Sequence, residues 1–154
     1  MAQRTLSRTV PSAPSLYDED FALWVEQQVG LIKAGDAAAL DVANLVEELE
    51  GLTKRDVRAL GSQLQRIMLH MLKQRYQPER ASRSWADSIR HGRNEIEDIL
   101  EESPSLRRRL PDLMSRRYPR AVADAASQTR LPVGTFPHEP PFSLAEVLGE
   151  APGA

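Results

Sequence analysis

Two places in the chain put carboxylates and imidazole at spacings that could do chemistry. Asp87, His91 and Glu95 recur at i, i+4 and i+8 with Asp98 beside them; on a helix they share one face, and such ligands suit a divalent metal. That face lies opposite the apolar stripe of the same segment, so it is expected to be solvated and to hold no metal. The second place is Glu47, Glu48 and Glu50, paired carboxylates of the kind used for acid/base work. No histidine follows any of them by three residues, so the Glu-x-x-His pair of a di-iron bundle is absent. There is also no glycine-rich phosphate loop, no nucleophile elbow and no triad spacing.

A third residue stands apart by its surroundings. His70 is the polar member of the run Ile67–Leu72, IMLHML. Burial there disfavours imidazolium, and Arg66 and Lys73 on neighbouring helical positions disfavour it further. A neutral buried imidazole still needs hydrogen-bond partners. The expected partner is a carboxylate of Glu47 or Glu48, or a backbone carbonyl, with Lys73 or Arg93 balancing the charge. These five residues, Glu47, Glu48, His70, Lys73 and Arg93, form the candidate polar or ligand-binding site; no catalytic residue and no cofactor is assigned.

The element that must position His70 runs from Thr53 to Tyr76. At 100° per residue, Val57, Leu60, Leu64, Ile67, Met68, Met71 and Leu72 fall within an arc of about 140°, the apolar stripe of an amphipathic helix. Thr53 and Asp56 fit an N-terminal capping box, and Pro78 closes the other end. Before it, Tyr17 to Gly35 reads as a helix with acids in its first turn, a glycine C-cap, and Phe21, Trp24, Val25, Leu31 and Ile32 at helical spacing. A further helix spans about Asp41 to Leu49 through Val42, Leu45, Val46 and Leu49, and Gly51 is either its end or a weak point in one helix reaching Tyr76.

Downstream, a helix starts near Trp85 and buries Trp85, Ile89, Ile96, Ile99 and Leu100, with Gly92 on that face. Ser103 and Pro104 read as an N-cap and first helical position. Pro111 and Pro119 are expected to leave short or kinked pieces up to Gln128. The proline-rich LPVGTFPHEPPF is an extended strap, pinned by Leu131, Phe136 and Phe142, rather than a polyproline ligand for another protein. Ser143 caps a last turn through Leu144, Val147 and Leu148. The expected architecture is therefore all-α: a single-domain bundle of about five helices over residues 15 to 149 with a C-terminal strap, between disordered tails at 1–14 and 150–154.

Composition narrows the function classes. The chain has 154 residues and no cysteine, which excludes disulfides and thiolate metal sites and fits a reducing cytoplasm. No signal-peptide or membrane-spanning run appears, so a soluble intracellular protein is expected. The net charge of −2 gives no global electrostatic case for nucleic acid or an anionic membrane. The charge is nonetheless segregated: residues 17–51 hold nine acids against Lys33, net −8, and residues 52–93 hold ten bases against three acids, net +7. Acidic and basic helices then lie against each other, or a basic face of Arg75, Arg80, Arg83, Arg90 and Arg93 meets an acidic partner.

Five stretches, YDEDFALWVEQ from Tyr17, LVEELE from Leu45, HMLKQRYQPE from His70, SWADSIRHGRNEIEDILEESPSL from Ser84 and TRLPVGTFPHEPPFSLAEVL from Thr129, resemble in order the bacterial domain-of-unknown-function family number 29. The chain departs from the family pattern at Gln74, often tryptophan, and at Pro141, usually a cysteine before the final aromatic. The resemblance implies a helical fold and bacterial origin and brings no activity with it. The expectation is a non-enzymatic protein that binds another protein or a small regulatory ligand, with homo-oligomerisation left open. The alternative is an enzyme or ligand sensor built around His70. Far-UV circular dichroism of the purified protein should be dominated by helix, and excess EDTA should leave both the spectrum and the melting temperature unchanged; a loss of either in EDTA would reveal a structural metal.

Overall fold

The computed structural model describes residues 15–151. It is all-α, with no strand among the described residues. Four long helices, α2 Phe21–Ala34, α3 Val42–Tyr76, α4 Arg83–Glu102 and α5 Leu110–Thr129, are accompanied by the one-turn helices α1 Leu16–Glu19 and α6 Leu144–Leu148. The chain divides into two compact units, Met1–Glu50 and Gly51–Ala154, and α3 runs unbroken through the division. The tail expected at 1–14 and residues 152–154 of the one expected at 150–154 lie outside the described residues; Glu150 of that second tail is placed, its N–H donating to Ala145 C=O and its carboxylate paired with Arg107. No helix of the described residues is long and apolar enough to cross a membrane.

In the first unit, the expected helix from Tyr17 breaks at Asp20, whose extended backbone (φ −147°, ψ 88°) separates α1 from α2. The break has a local cause: the Asp20 carboxylate accepts from Leu23 N–H at 3.0 Å and so caps a new helix. α2 ends at Gly35 as expected, in the left-handed conformation (φ 74°) that glycine adopts without penalty.

Asp41 then starts α3. Its carboxylate accepts from Asn44 N–H (3.3 Å), Asn44 Nδ2 (2.7 Å) and Trp24 Nε1 (3.1 Å), while its own N–H donates to Gln28 Oε1 at 2.8 Å. Those bonds, the Asn44 side chain's first, hold the Asp41 carboxyl below its usual range. Tyr17 packs edge-on to Trp24 with ring centroids 4.9 Å apart and donates its hydroxyl to Glu48 Oε1 at 2.6 Å. That bond pushes the phenol up to about 12.

The capping box expected at Thr53 and Asp56 is not a helix start, because both lie inside α3. Asp41 already supplies the cap, and an apolar stripe in phase on either side of Gly51 carries the helix through. Several residues expected to pack instead face solvent in this unit: Phe21, Val25 and Ile32 on α2, and Val42, Val46 and Leu49 on α3 are all exposed.

The second unit holds the core. Leu60, Leu64, Ile67, Met68 and Leu72 of α3 are all at 0% exposure. Against them pack Ile89 and Ile96 of α4 and Leu110, Leu113, Met114, Tyr118, Ala121, Val122 and Ala125 of α5. α4 starts at Arg83, two residues earlier than expected, and its Gly92 lies so close to α3 that an added Cβ would sit 2.8 Å from Ile67 Cγ1.

Pro111 and Pro119 do not fragment α5. Pro111 lies in its first turn, where no N–H is needed. Pro119 removes one hydrogen bond, but its neighbours Tyr118, Ala121 and Val122 are buried, and that packing keeps the helix continuous. Pro104 opens a 3₁₀ turn, Pro104–Arg109, in which Ser103 makes no side-chain cap bond.

The strap is pinned by the expected residues but is not extended throughout, since Val133–Thr135 form a 3₁₀ turn. Phe136 and Phe142 are buried and Leu131 is partly buried against the core. Tyr118 donates its hydroxyl to Pro137 C=O at 2.8 Å, and Tyr76 meets Phe136 edge-on at 5.2 Å. Two arginines of the expected basic face are taken up here: Arg75 donates to Pro141 C=O (2.8 Å), and Arg93 to Val147 C=O (2.9 Å) and Glu146 C=O (2.8 Å). α6 carries its capping box, Ser143 with Glu146. The helix–helix contact at Gly92 leads to a test. Gly92→Ala should lower stability by about 1 kcal/mol in urea denaturation, because overpacking against fully buried Ile67 outweighs the propensity gain. Gly51→Ala, with open space around it, should raise stability by up to about 1 kcal/mol.

A cationic cleft around His70

The five residues expected to converge do not. Glu48 is engaged by Tyr17, and Glu47 is exposed. Glu47 and Glu48 belong to the first unit and His70 to the second. Lys73 Nζ donates to Gln128 Oε1 at 2.9 Å and stands 4.4 Å over the Trp85 ring. Burial pushes its ammonium pKa down. Arg93, at the carbonyl end of α6, is absent from the walls around His70. Asp87, His91 and Glu95 stay on an exposed face of α4, with His91 Nε2 3.9 Å from Glu95 Oε1 and Asp87 paired to Arg90. Among the described residues no group of three or more His, Asp or Glu side chains is placed to hold a metal ion.

His70 does line a cleft. About 520 Å³ in volume, it is walled by Ser62, Gln65, Arg66 and Leu69 of α3 and by Arg117, Arg120, Asp124 and Gln128 of α5. Nδ1 of His70 is buried and has no hydrogen-bond partner, which corrects the expected carboxylate or carbonyl acceptor. Burial, then Lys73, then Arg66, hold the imidazole pKa below its ordinary value, so the ring is neutral at pH 7. Arg66, Arg117 and Arg120 make no ion pair among the described residues. The one carboxylate of the cleft, Asp124, accepts instead from Gln65 Nε2 at 2.8 Å. Arg117 lies against Gly61, where an added Cβ would come within 2.8 Å of its Nε. The cleft therefore offers three guanidinium groups, a neutral imidazole and the Ser62 hydroxyl to whatever enters.

The α5 wall was missed from sequence because Pro119 was expected to break that helix. With the helix continuous, Arg117, Arg120, Asp124 and Gln128 fall at i, i+3, i+7 and i+11 and share an arc of about 80°. That spacing was the available signal.

The sign of the pH dependence follows from His70. Its folded pKa is lowered while the unfolded value stays near 6.5, so the unfolded chain binds more protons as pH falls through 6.5. The contribution of the neutral ring is complete above that value and is lost on acidification toward the lower folded pKa. The charges facing it are Arg66 and Lys73 on α3 and Arg117, Arg120 and Asp124 on α5. His70→Leu should flatten the decline in stability between pH 7 and 5, followed by urea denaturation. At pH 7 it should stabilise by about 1 kcal/mol, since an unsatisfied buried nitrogen is removed rather than a partner orphaned.

No curated protein and no solved structure matches the chain. A family model, described as domain of unknown function DUF29, matches residues 16–151. With nearly its whole length covered, the chain belongs to the DUF29 family.

Proposed function

We propose that this chain is a non-enzymatic, cytoplasmic bacterial protein whose second unit binds a small anionic regulatory ligand in the α3–α5 cleft. The observation that carries the reading is the set of three arginines, Arg66, Arg117 and Arg120, that wall one cleft without an ion pair among the described residues. Guanidinium groups gathered without carboxylate partners repel one another, and an anion held by charge-assisted hydrogen bonds relieves that repulsion. The neutral imidazole of His70 lines the same cleft.

A binding role is favoured over a catalytic one by the contacts of the cleft. Ser62 makes no hydrogen bond to His70, so no nucleophile–base pair is assembled. Asp124 is held by an amide rather than by the imidazole. The absence of cysteine supports the cytoplasmic assignment, and the family resemblance supports the bacterial one.

Binding of an anion beside a neutral imidazole favours imidazolium, so ligand and proton uptake are coupled in both directions. Titrating the full chain with inorganic pyrophosphate by calorimetry should show saturable binding that weakens with salt. The double substitution Arg117→Gln with Arg120→Gln should weaken it by roughly tenfold or more, and the His70 pKa, followed by NMR, should rise when pyrophosphate is present. No binding at millimolar pyrophosphate, or binding indifferent to the double substitution, would overturn the assignment.

A further inference from the structure

The first unit presents an unusual surface for its charge. On α2, Phe21, Val25, Val29 and Ile32 fall within an arc of about 80° and are all exposed, Ile32 at 57%. This strip lies beside, not on, the side that α2 uses internally, where Trp24 and Gln28 are buried and bonded to Asp41. On α3, Val42, Val46 and Leu49 share an arc of about 60° and are likewise exposed, Leu49 at 65%. Single exposed apolar side chains are ordinary, but two helical strips in one small unit mark an interaction surface.

The charge around the strips selects the occupant. Residues 17–51 carry nine acids against Lys33, net −8, and exposed Glu26 and Glu47 belong to the same two helices. A second copy seated through the same strips would bring two such units together, setting −8 against −8. An anionic membrane surface is repelled for the same reason. A partner whose apolar stripe is edged with lysine or arginine meets both the strips and the acids.

We propose that the strips of α2 and α3 receive a basic amphipathic helix from a partner protein. From Phe21 to Ile32 the α2 strip covers twelve residues, eleven rises (32 − 21) or about 16 Å, which matches three turns of an incoming helix. Its apolar side chains at i, i+3, i+4 and i+7 anchor on the strips. The flanking cations speed the encounter and fix its orientation. The surface lies wholly in the first unit and is independent of the cleft around His70.

The test uses the full chain and three synthetic peptides of about 18 residues, five turns. One is a leucine–lysine peptide with helical period, one the same composition scrambled, and one a leucine–glutamate peptide with helical period. Fluorescence anisotropy should show binding of the periodic lysine peptide, with a gain in helicity by circular dichroism. Ile32→Asp and Leu49→Asp should each weaken it by roughly tenfold or more, and so should the pair Glu26→Lys with Glu47→Lys. These sites are exposed, so the spectra of the free variants should match that of the parent. Equal binding of the scrambled peptide would reduce the effect to charge alone and overturn the proposal, as would equal binding of the acidic peptide. Equally, sedimentation showing a dimer of the parent that Ile32→Asp converts to monomer would give the strips to a second copy and sink it.

Discussion

Burial of one stripe of α3, Leu60, Leu64, Ile67, Met68 and Leu72, organises the second unit. Each of these side chains at full burial removes on the order of 1.5–3 kcal/mol of exposed apolar surface cost. No other element carries so many residues at zero exposure. α4 is drawn against the stripe closely enough that only glycine fits opposite Ile67. α5 lays Tyr118, Ala121, Val122 and Ala125 into the same core, and the strap closes over it through Phe136 and Phe142. The same constraint explains how α5 tolerates Pro119: the energy of a buried face on either side exceeds the loss of one backbone hydrogen bond.

The polar cleft is a by-product of that packing. α3 and α5 bury their apolar faces against each other, and the edges of the contact bring Arg66 and His70 opposite Arg117, Arg120 and Asp124. His70 sits at the margin, half-buried, with one nitrogen sealed from water and no acceptor or donor supplied. A buried unsatisfied nitrogen is a cost that packing alone does not explain. A bound anion would answer the guanidinium groups that wall the cleft, whereas Nδ1, sealed inside the fold, stays unpaired.

The first unit is built on different terms. Its described residues form no apolar core of comparable size; their order comes from directed polar bonds that converge on Asp41, from the Tyr17–Glu48 hydrogen bond and from three mutually packed rings, Tyr17, Phe21 and Trp24. Phe21 stays half-exposed within that ring cluster and the other apolar side chains of the strips remain on the surface, which is why the strips of α2 and α3 are available to another molecule.

Local signals placed three of the six helices closely: the 3.6-residue recurrence of apolar side chains placed α3 and α4, the Ser143 cap placed α6, and the aromatic residues among the prolines predicted the pinned strap. Those are local properties, set by side-chain spacing, caps and proline geometry. Three matters were left open by spacing alone. Whether Gly51 ends a helix depended on the cap at Asp41 and the apolar phase beyond. Whether Pro119 breaks α5 depended on the core beneath it. Which residues surround His70 depended on the α3–α5 contact, which replaced Glu47 and Glu48, near in sequence, with Arg117, Arg120 and Asp124, some fifty residues away. A single helix keeps its own residues at 1.5 Å intervals and cannot fold them back on one another, so tertiary packing alone decided the composition of the cleft.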